Sequence, residues 1–296
     1  MNKFNPYISL LIGVLLILTV IVWTSVFANH PKKLGTWIWH TSIIDDDRAA
    51  VLQALESKGV TDVFLQVDRD IEKEVYQSFI RDADSRNMKV HALDGSPLWV
   101  ASEGDEEASL FFNWLGNYQN EVSDSEKFKG IHLDVEPYLH AGWREDYDYT
   151  VSSYQSFIMT AGKQADILGI PLEVDIPFWF DKKNYKNDFG SGTLSEWVME
   201  HTDAVTIMAY RDKAEGSNGI IKVVRSEIEY AEKLKKPITI AVETKQSTEY
   251  DHVSFHEEGQ RIMMKELKKV EKEYRSFDSF RGMAIHSYDH WMEMKP

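Results

Sequence analysis

Lys129-Gly-Ile-His-Leu-Asp-Val-Glu-Pro-Tyr138 decides how the rest of the chain is read. Its residues read as a buried β-strand, and side chains on a strand alternate between faces, so His132, Asp134 and Glu136 share one face. Two carboxylates a few ångströms apart in a dry place are costly unless one takes up a proton or both are hydrogen-bonded. That condition makes a general acid. An ordinary strand end with solvated acids is the plainer alternative. The otherwise apolar strand, and Pro137 ending it abruptly, favour the functional reading.

Outward from this strand, apolar runs bounded by turn residues alternate with helical patterns. Strands are expected at residues 34–40, 61–67, 89–94, 172–179, 204–210, 238–243 and 282–288, with the quoted stretch fourth in order. Helices are expected at 49–57, 71–86, 147–168, 195–201, 220–235 and 256–274. One more carries Leu110, Phe111, Trp114, Leu115 and Tyr118 at helical spacing, which reads as core packing. Strands with near-continuous apolar character, each after the first preceded by a helix, are parallel strands buried on both faces. The fold class is α/β, a (β/α)8 TIM barrel, and a domain of about 250 residues is the usual size for one. Only residues 289–296 follow the last strand, so the eighth helix is expected to be missing or reduced to a turn. The barrel occupies residues 34–296.

Residues 1–33 read as a signal or membrane anchor with a short linker. Residues 7–28 carry no charge and are mostly Ile, Leu and Val, with Lys3 before and Lys32 and Lys33 after. Val26-Phe27-Ala28 resembles a signal-peptidase site, while the length of the run favours an uncleaved anchor. Either outcome places the barrel outside the cytoplasm, single-pass anchored or secreted. The chain has no cysteine, which excludes disulfides and thiolate chemistry. A net charge of −15 without a basic stripe excludes nucleic acid as a partner. No second domain or repeat is visible, and a monomer is expected. The acidic run 103–107 and the mixed charges of 265–272 read as solvated helix flanks.

Reactive groups in such barrels sit at the carboxyl ends of strands. Those ends supply Trp39 and His40, Gln66 and Asp68, Asp94, Asp134 and Glu136, Asp175, Tyr210 and Asp212, Glu243, then His286 and Tyr288. The result is an acidic cup, with Tyr138, Trp143, Trp179, Trp99 and Trp291 as candidates for an aromatic rim. Carboxylates beside exposed rings suit a carbohydrate, because sugar faces stack on rings and hydroxyls bond to acids. Two acids can also cleave a glycosidic bond.

Gly130-Ile-His-Leu-Asp-Val-Glu136 resembles the fourth-strand motif of the chitinase-like family 18 glycoside hydrolases, Asp-Gly-Ile-Asp-Ile-Asp-Trp-Glu. Met208-Ala-Tyr210 is similar to that family's sixth-strand Met-x-Tyr, and Gly282-Met-Ala284 to its eighth-strand glycine-methionine pattern. The resemblance spans residues 34–291. It implies that Glu136 protonates the leaving oxygen, that Asp134 orients the substrate's own N-acetyl group for attack, and that Tyr210 bonds that group. It places Asp175 where a further polar contact is expected, and it implies no cofactor and no metal. The sequence departs from the motif at Lys129, His132 and Val135, and His286 or Tyr288 stands where the eighth strand would carry a tryptophan. His132, Asp94, Trp39, Trp179, Glu243, His286 and Tyr288 complete the expected substrate-contacting set for an oligo- or polysaccharide.

Glu243 opens a second route, in which Glu136 is acid/base and Glu243 the nucleophile of a retaining glycosidase. That scheme leaves Asp134 without a task. A metal hydrolase built on His132, Asp134, Glu136, Asp175 and His286 lacks the expected His-x-His or His-Glu-x-x-His spacing. His286-Ser-Tyr-Asp-His290 mimics a deacetylase metal motif but stands at the extreme C-terminus. A non-catalytic carbohydrate-binding barrel is the remaining alternative, against which stands the retention of Glu136.

Overall fold

The computed structural model describes residues 33–101, 104–248 and 250–296. The expected anchor therefore lies outside the described residues, apart from Lys33. Among the described residues no helix is long and apolar enough to cross a membrane.

Eight parallel strands close into a barrel: β1 (Lys33–Ile38), β2 (Asp62–Gln66), β3 (Lys89–Asp94), β4 (Ile131–Leu133), β5 (Leu172–Pro177), β6 (Ala204–Met208), β7 (Ile238–Glu243) and β8 (Phe280–His286). Their order around the ring is the order of the chain, with β8 returning to pair with β1. A helix follows each strand: α1 (Arg48–Ser57), α2 (Lys73–Asp84), α3 (Asp105–Glu121), α4 (Tyr147–Leu168), α5 (Leu194–His201), α6 (Arg225–Leu234), α7 (Gln260–Tyr274) and α8 (Tyr288–Glu293). This is the (β/α)8 TIM barrel expected from the alternation, and the last helix is indeed reduced, to six residues.

Local chemistry sets the element ends. The Asp47 and Asp146 carboxylates accept backbone N–H groups at the starts of α1 and α4, and Gly169 ends α4 in the left-handed conformation. The helix expected at 220–235 is broken at Val224, which leaves the helical conformation between a short turn and α6. A two-stranded hairpin, Asn184–Asn187 with Gly190–Thr193, stands between β5 and α5 where no element was expected.

The core has two parts. Val63, Val90, Ile131, Val174 and Ile207 face outward and pack with helix residues such as Tyr76, Phe111 and Ile158. Inside the ring lie Trp37, Phe64, Leu93, Ala241 and Ala284. The Phe64 ring stacks on His132 with centroids 3.7 Å apart and meets Trp37 edge-on at 4.8 Å. Toward the amino-terminal end, Lys33 Nζ lies 2.8 and 2.7 Å from the two carboxylate oxygens of Glu173, which also accepts the Thr206 hydroxyl at 2.5 Å. A polar plug thus closes the barrel opposite the strand ends that face the cup.

Candidate active site

Backbone geometry at the end of β4 delivers the two acids. Only Ile131–Leu133 is laddered on both sides, and Pro137 opens a short 3₁₀ turn, so Asp134 and Glu136 leave the strand at the barrel mouth. The Asp134 N–H bonds to the Asp94 carbonyl at 3.1 Å. Gly95 packs so tightly on the Asp134 backbone that a Cβ there would run into the Asp134 carbonyl. Asp134 is thereby fixed by its main chain while its Oδ1 is buried without a protein hydrogen-bond partner.

Electrostatics separate the cup's carboxyls. Burial pushes Asp134 well above the usual carboxylate range, and the neighbouring charges of Asp175 and Glu136 push it further. Glu136 is also raised, first by burial; the Tyr138 hydroxyl, which donates to its Oε1, and His286 pull the other way. Asp134 and Glu136 both hold a proton more tightly than isolated carboxyls do, and the charge of Glu136 adds to the rise of Asp134. Glu243 differs: its Oε1 accepts the Thr244 and Lys245 N–H groups at 2.7 and 2.8 Å, and its Oε2 lies 3.0 Å from His286 Nδ1. Burial would raise it, yet those bonds and the histidine hold it below its ordinary value. One acid is therefore prepared to give a proton and another to stay ionised.

Not every expected contact faces the cup. His132 is fully buried and Asp175 nearly so, and they occupy each other at 2.9 Å between His132 Nε2 and Asp175 Oδ1, while Asp175 Oδ2 accepts the Trp37 indole N–H at 3.1 Å. Burial lowers His132 to about 3 and raises Asp175, so each disfavours its charged form in this dry position. Both are closed off from solvent, with Asp175 near enough to Asp134 for its charge to act there. His132 thus supports Asp175 and not Asp134 directly. Asp94 also departs from expectation: in β3 it is Leu93 that faces the interior, in register with His132, and the charged neighbours of Asp94 are Arg69 and Glu107. Tyr288 starts α8, packs on the outer core, and has Asp289 and Asp47 as its charged neighbours.

Tyr210, Trp39 and His286 do converge with Glu243. The Tyr210 ring lies 6.1 Å from His286, and Trp39 Nε1 lies 3.0 Å from His286 Nε2. Tyr210 titrates far above an ordinary tyrosine through burial and the charges of Glu243, Asp134, Asp175 and Glu136, so it remains a hydroxyl donor. Trp179, Tyr138 and Trp143 form one partly exposed aromatic wall, with Tyr138 and Trp179 4.9 Å apart. Trp99 and Trp291 are buried and belong to packing. Sequence reasoning missed Trp37 and Tyr154. Trp37 shares the inward face with Trp39, which strand alternation signals. Tyr154 comes from α4, is buried, and has an unpartnered hydroxyl near Asp134 and Asp175; no motif announces it. Among the described residues no group of three or more histidines and acids is arranged to hold a metal.

No family model matches the chain, and no curated protein matches it. Solved structures do. A C-terminal domain assigned as a chitinase from Desulfitobacterium hafniense aligns over 72% of this chain at 13% identity and a TM-score of 0.50, and the chain spans 66% of that domain's length. The second catalytic domain of an Ostrinia furnacalis Group II chitinase, in complex with a chito-oligosaccharide, aligns over 88% of this chain and 90% of its own at 11% identity, TM-score 0.55. The Bacillus megaterium spore cortex-lytic enzyme SleL aligns over 86% and 70% at 12% identity, TM-score 0.51. At these identities the likeness is one of fold.

Proposed function

We propose that the protein is a glycoside hydrolase acting outside the cytoplasm on a glycan that contains N-acetylhexosamine. The carrying observation is the pair Asp134 and Glu136 at the barrel mouth, sharing raised proton affinity, with the Tyr138 hydroxyl on Glu136 and an aromatic wall beside it. The fold shared with chitinases and a cortex-lytic enzyme supports the substrate class. The location rests on the uncharged run of residues 7–28.

Glu136 gives its proton to the leaving oxygen as the glycosidic bond breaks, and burial raises its proton affinity for that task. Asp134, beside it, stabilises the positive charge that develops at the anomeric carbon and holds the attacking acetamido group. Tyr210 donates to that group. Both oxygens of Glu243 already accept hydrogen bonds from the protein, which favours a supporting role over that of nucleophile.

Glu136→Gln tests this. Hydrolysis of β-linked N-acetylglucosamine oligomers should fall by roughly 10²–10⁴-fold, as for loss of a general acid, while binding of the same oligomers persists. Binding without any turnover by the unmutated protein would replace the hydrolase by a carbohydrate-binding barrel.

A further inference from the structure

His286 is held at both ring nitrogens. Trp39 Nε1 lies 3.0 Å from its Nε2, and Glu243 Oε2 lies 3.0 Å from its Nδ1. An indole N–H can only donate, so Nε2 accepts, Nδ1 carries the hydrogen, and the ring is neutral in this arrangement. Glu243 is anchored in turn by the backbone N–H groups of Thr244 and Lys245. A continuous chain of hydrogen bonds therefore runs from the backbone after β7, through Glu243 and His286, to the indole that follows β1. These strands are neighbours in the ring, in the order β7, β8, β1. Trp39 is partly exposed and, like Tyr210, packs by the His286 ring, and with its N–H engaged its remaining surface is an apolar ring face.

We propose that Glu243 and His286 are positioning residues that lock Trp39 as the stacking face for a sugar beside Glu136, and that the lock holds only while His286 is neutral. This rests on the glycan-hydrolase reading. A second proton on His286 would set an N–H against the Trp39 N–H, so gaining it breaks the Trp39 bond.

The groups facing His286 make that proton accessible. Glu243 comes from β7, Asp134 and Glu136 from the end of β4, Asp175 from β5 and Tyr210 from the end of β6; Trp37 comes from β1 and Trp39 follows it. Burial disfavours the imidazolium, but the Glu243 bond and the charges of Glu243, Asp134 and Asp175 outweigh it and raise His286 above the ordinary histidine value. Affinity for the sugar should accordingly weaken on the acid side through a group other than the catalytic carboxyls.

The test follows the Trp39 indole resonance of the full-length chain, labelled with ¹⁵N and assigned by its loss in Trp39→Phe. It should move with a single midpoint above the ordinary histidine value of about 6.5, should stop titrating in His286→Phe, and should have its midpoint lowered by about one unit or more in Glu243→Gln, which removes the paired charge. With chito-oligosaccharide as substrate, KM should rise as pH falls through the same midpoint while kcat is preserved, the pattern of lost ground-state contact. A Trp39 resonance indifferent to pH, or a midpoint unmoved by Glu243→Gln, overturns the lock even if hydrolysis is active. Should the protein hydrolyse no glycan, the resonance experiment still decides whether the lock exists. A KM flat through the midpoint alongside normal turnover refutes the stacking role and leaves the hydrolase standing.

Discussion

Replacing Lys33 by Met removes the cation that bonds Glu173 at the closed end of the barrel. Both partners are nearly buried, 12% and 8% exposed at the side chain, and Lys33 reaches both carboxylate oxygens. Burial alone would raise the Glu173 carboxyl, but the charge of Lys33, with His132 and His91 behind it, reverses this and holds it far below the ordinary range. Stripping one partner from a buried pair costs about 3–5 kcal/mol because the other charge is left uncompensated. The Thr206 hydroxyl remains on Glu173 and absorbs part of that, so we expect about 3 kcal/mol. Urea unfolding at pH 7, followed by far-UV circular dichroism, measures it. The double variant Lys33→Met with Glu173→Leu should recover most of the loss, since an apolar pair of similar volume is often neutral. The sign with pH is fixed by the lowered carboxyl. The pair's contribution is fully present above the unfolded carboxylate value of about 4.3 and is lost as pH falls through the folded value, so wild type and variant should converge in strong acid. A single variant that loses less than about 1 kcal/mol, or a double variant no more stable than the single, would refute the reasoning.

Tyr138→Phe removes a hydrogen bond that lowers Glu136, so the basic limb of kcat/KM should move to higher pH; a limb that stays or moves down counts against Glu136 as the acid. Glu227 is buried on α6 beside Asp181 and is raised to about 8, chiefly by burial and then by Asp181. Folding must therefore keep it protonated while the unfolded chain ionises it, and the cost grows from about pH 4 up to its folded value. Glu227→Gln should match wild type near pH 4 and exceed it by at least about 1 kcal/mol at pH 8 in urea unfolding; equal stability at both pH values would show that Glu227 ionises freely.

The barrel was legible because eight apolar runs alternate with helical patterns, and the inward faces of β1, β4, β7 and β8 follow from strand alternation. Asp94 was misplaced for a specific reason. Both faces of a parallel barrel strand are apolar, so Val90 and Ala92 give no sign that they, and not His91 and Leu93, point to the helices. His132 and Asp175 share the inward face, but depth along the barrel axis has no signature in the sequence, and depth is what closes them off from solvent. The hairpin at 184–193 is mostly polar and glycine residues, and Tyr185 and Phe189 alone give no apolar alternation to announce it. Tyr154 reaches the site from a helix at a distance no motif spans.

The filling of the ring carries a thermal consequence. Lys33, Glu173, Thr206, His132 and Asp175 occupy space that a typical barrel gives to Val, Ile and Leu. Hydrating apolar surface on unfolding raises the heat capacity, whereas hydrating polar surface lowers it. This barrel should therefore unfold with a smaller heat-capacity increment than an aliphatic-filled one of equal length, giving a flatter stability curve that changes little between cold and warm conditions.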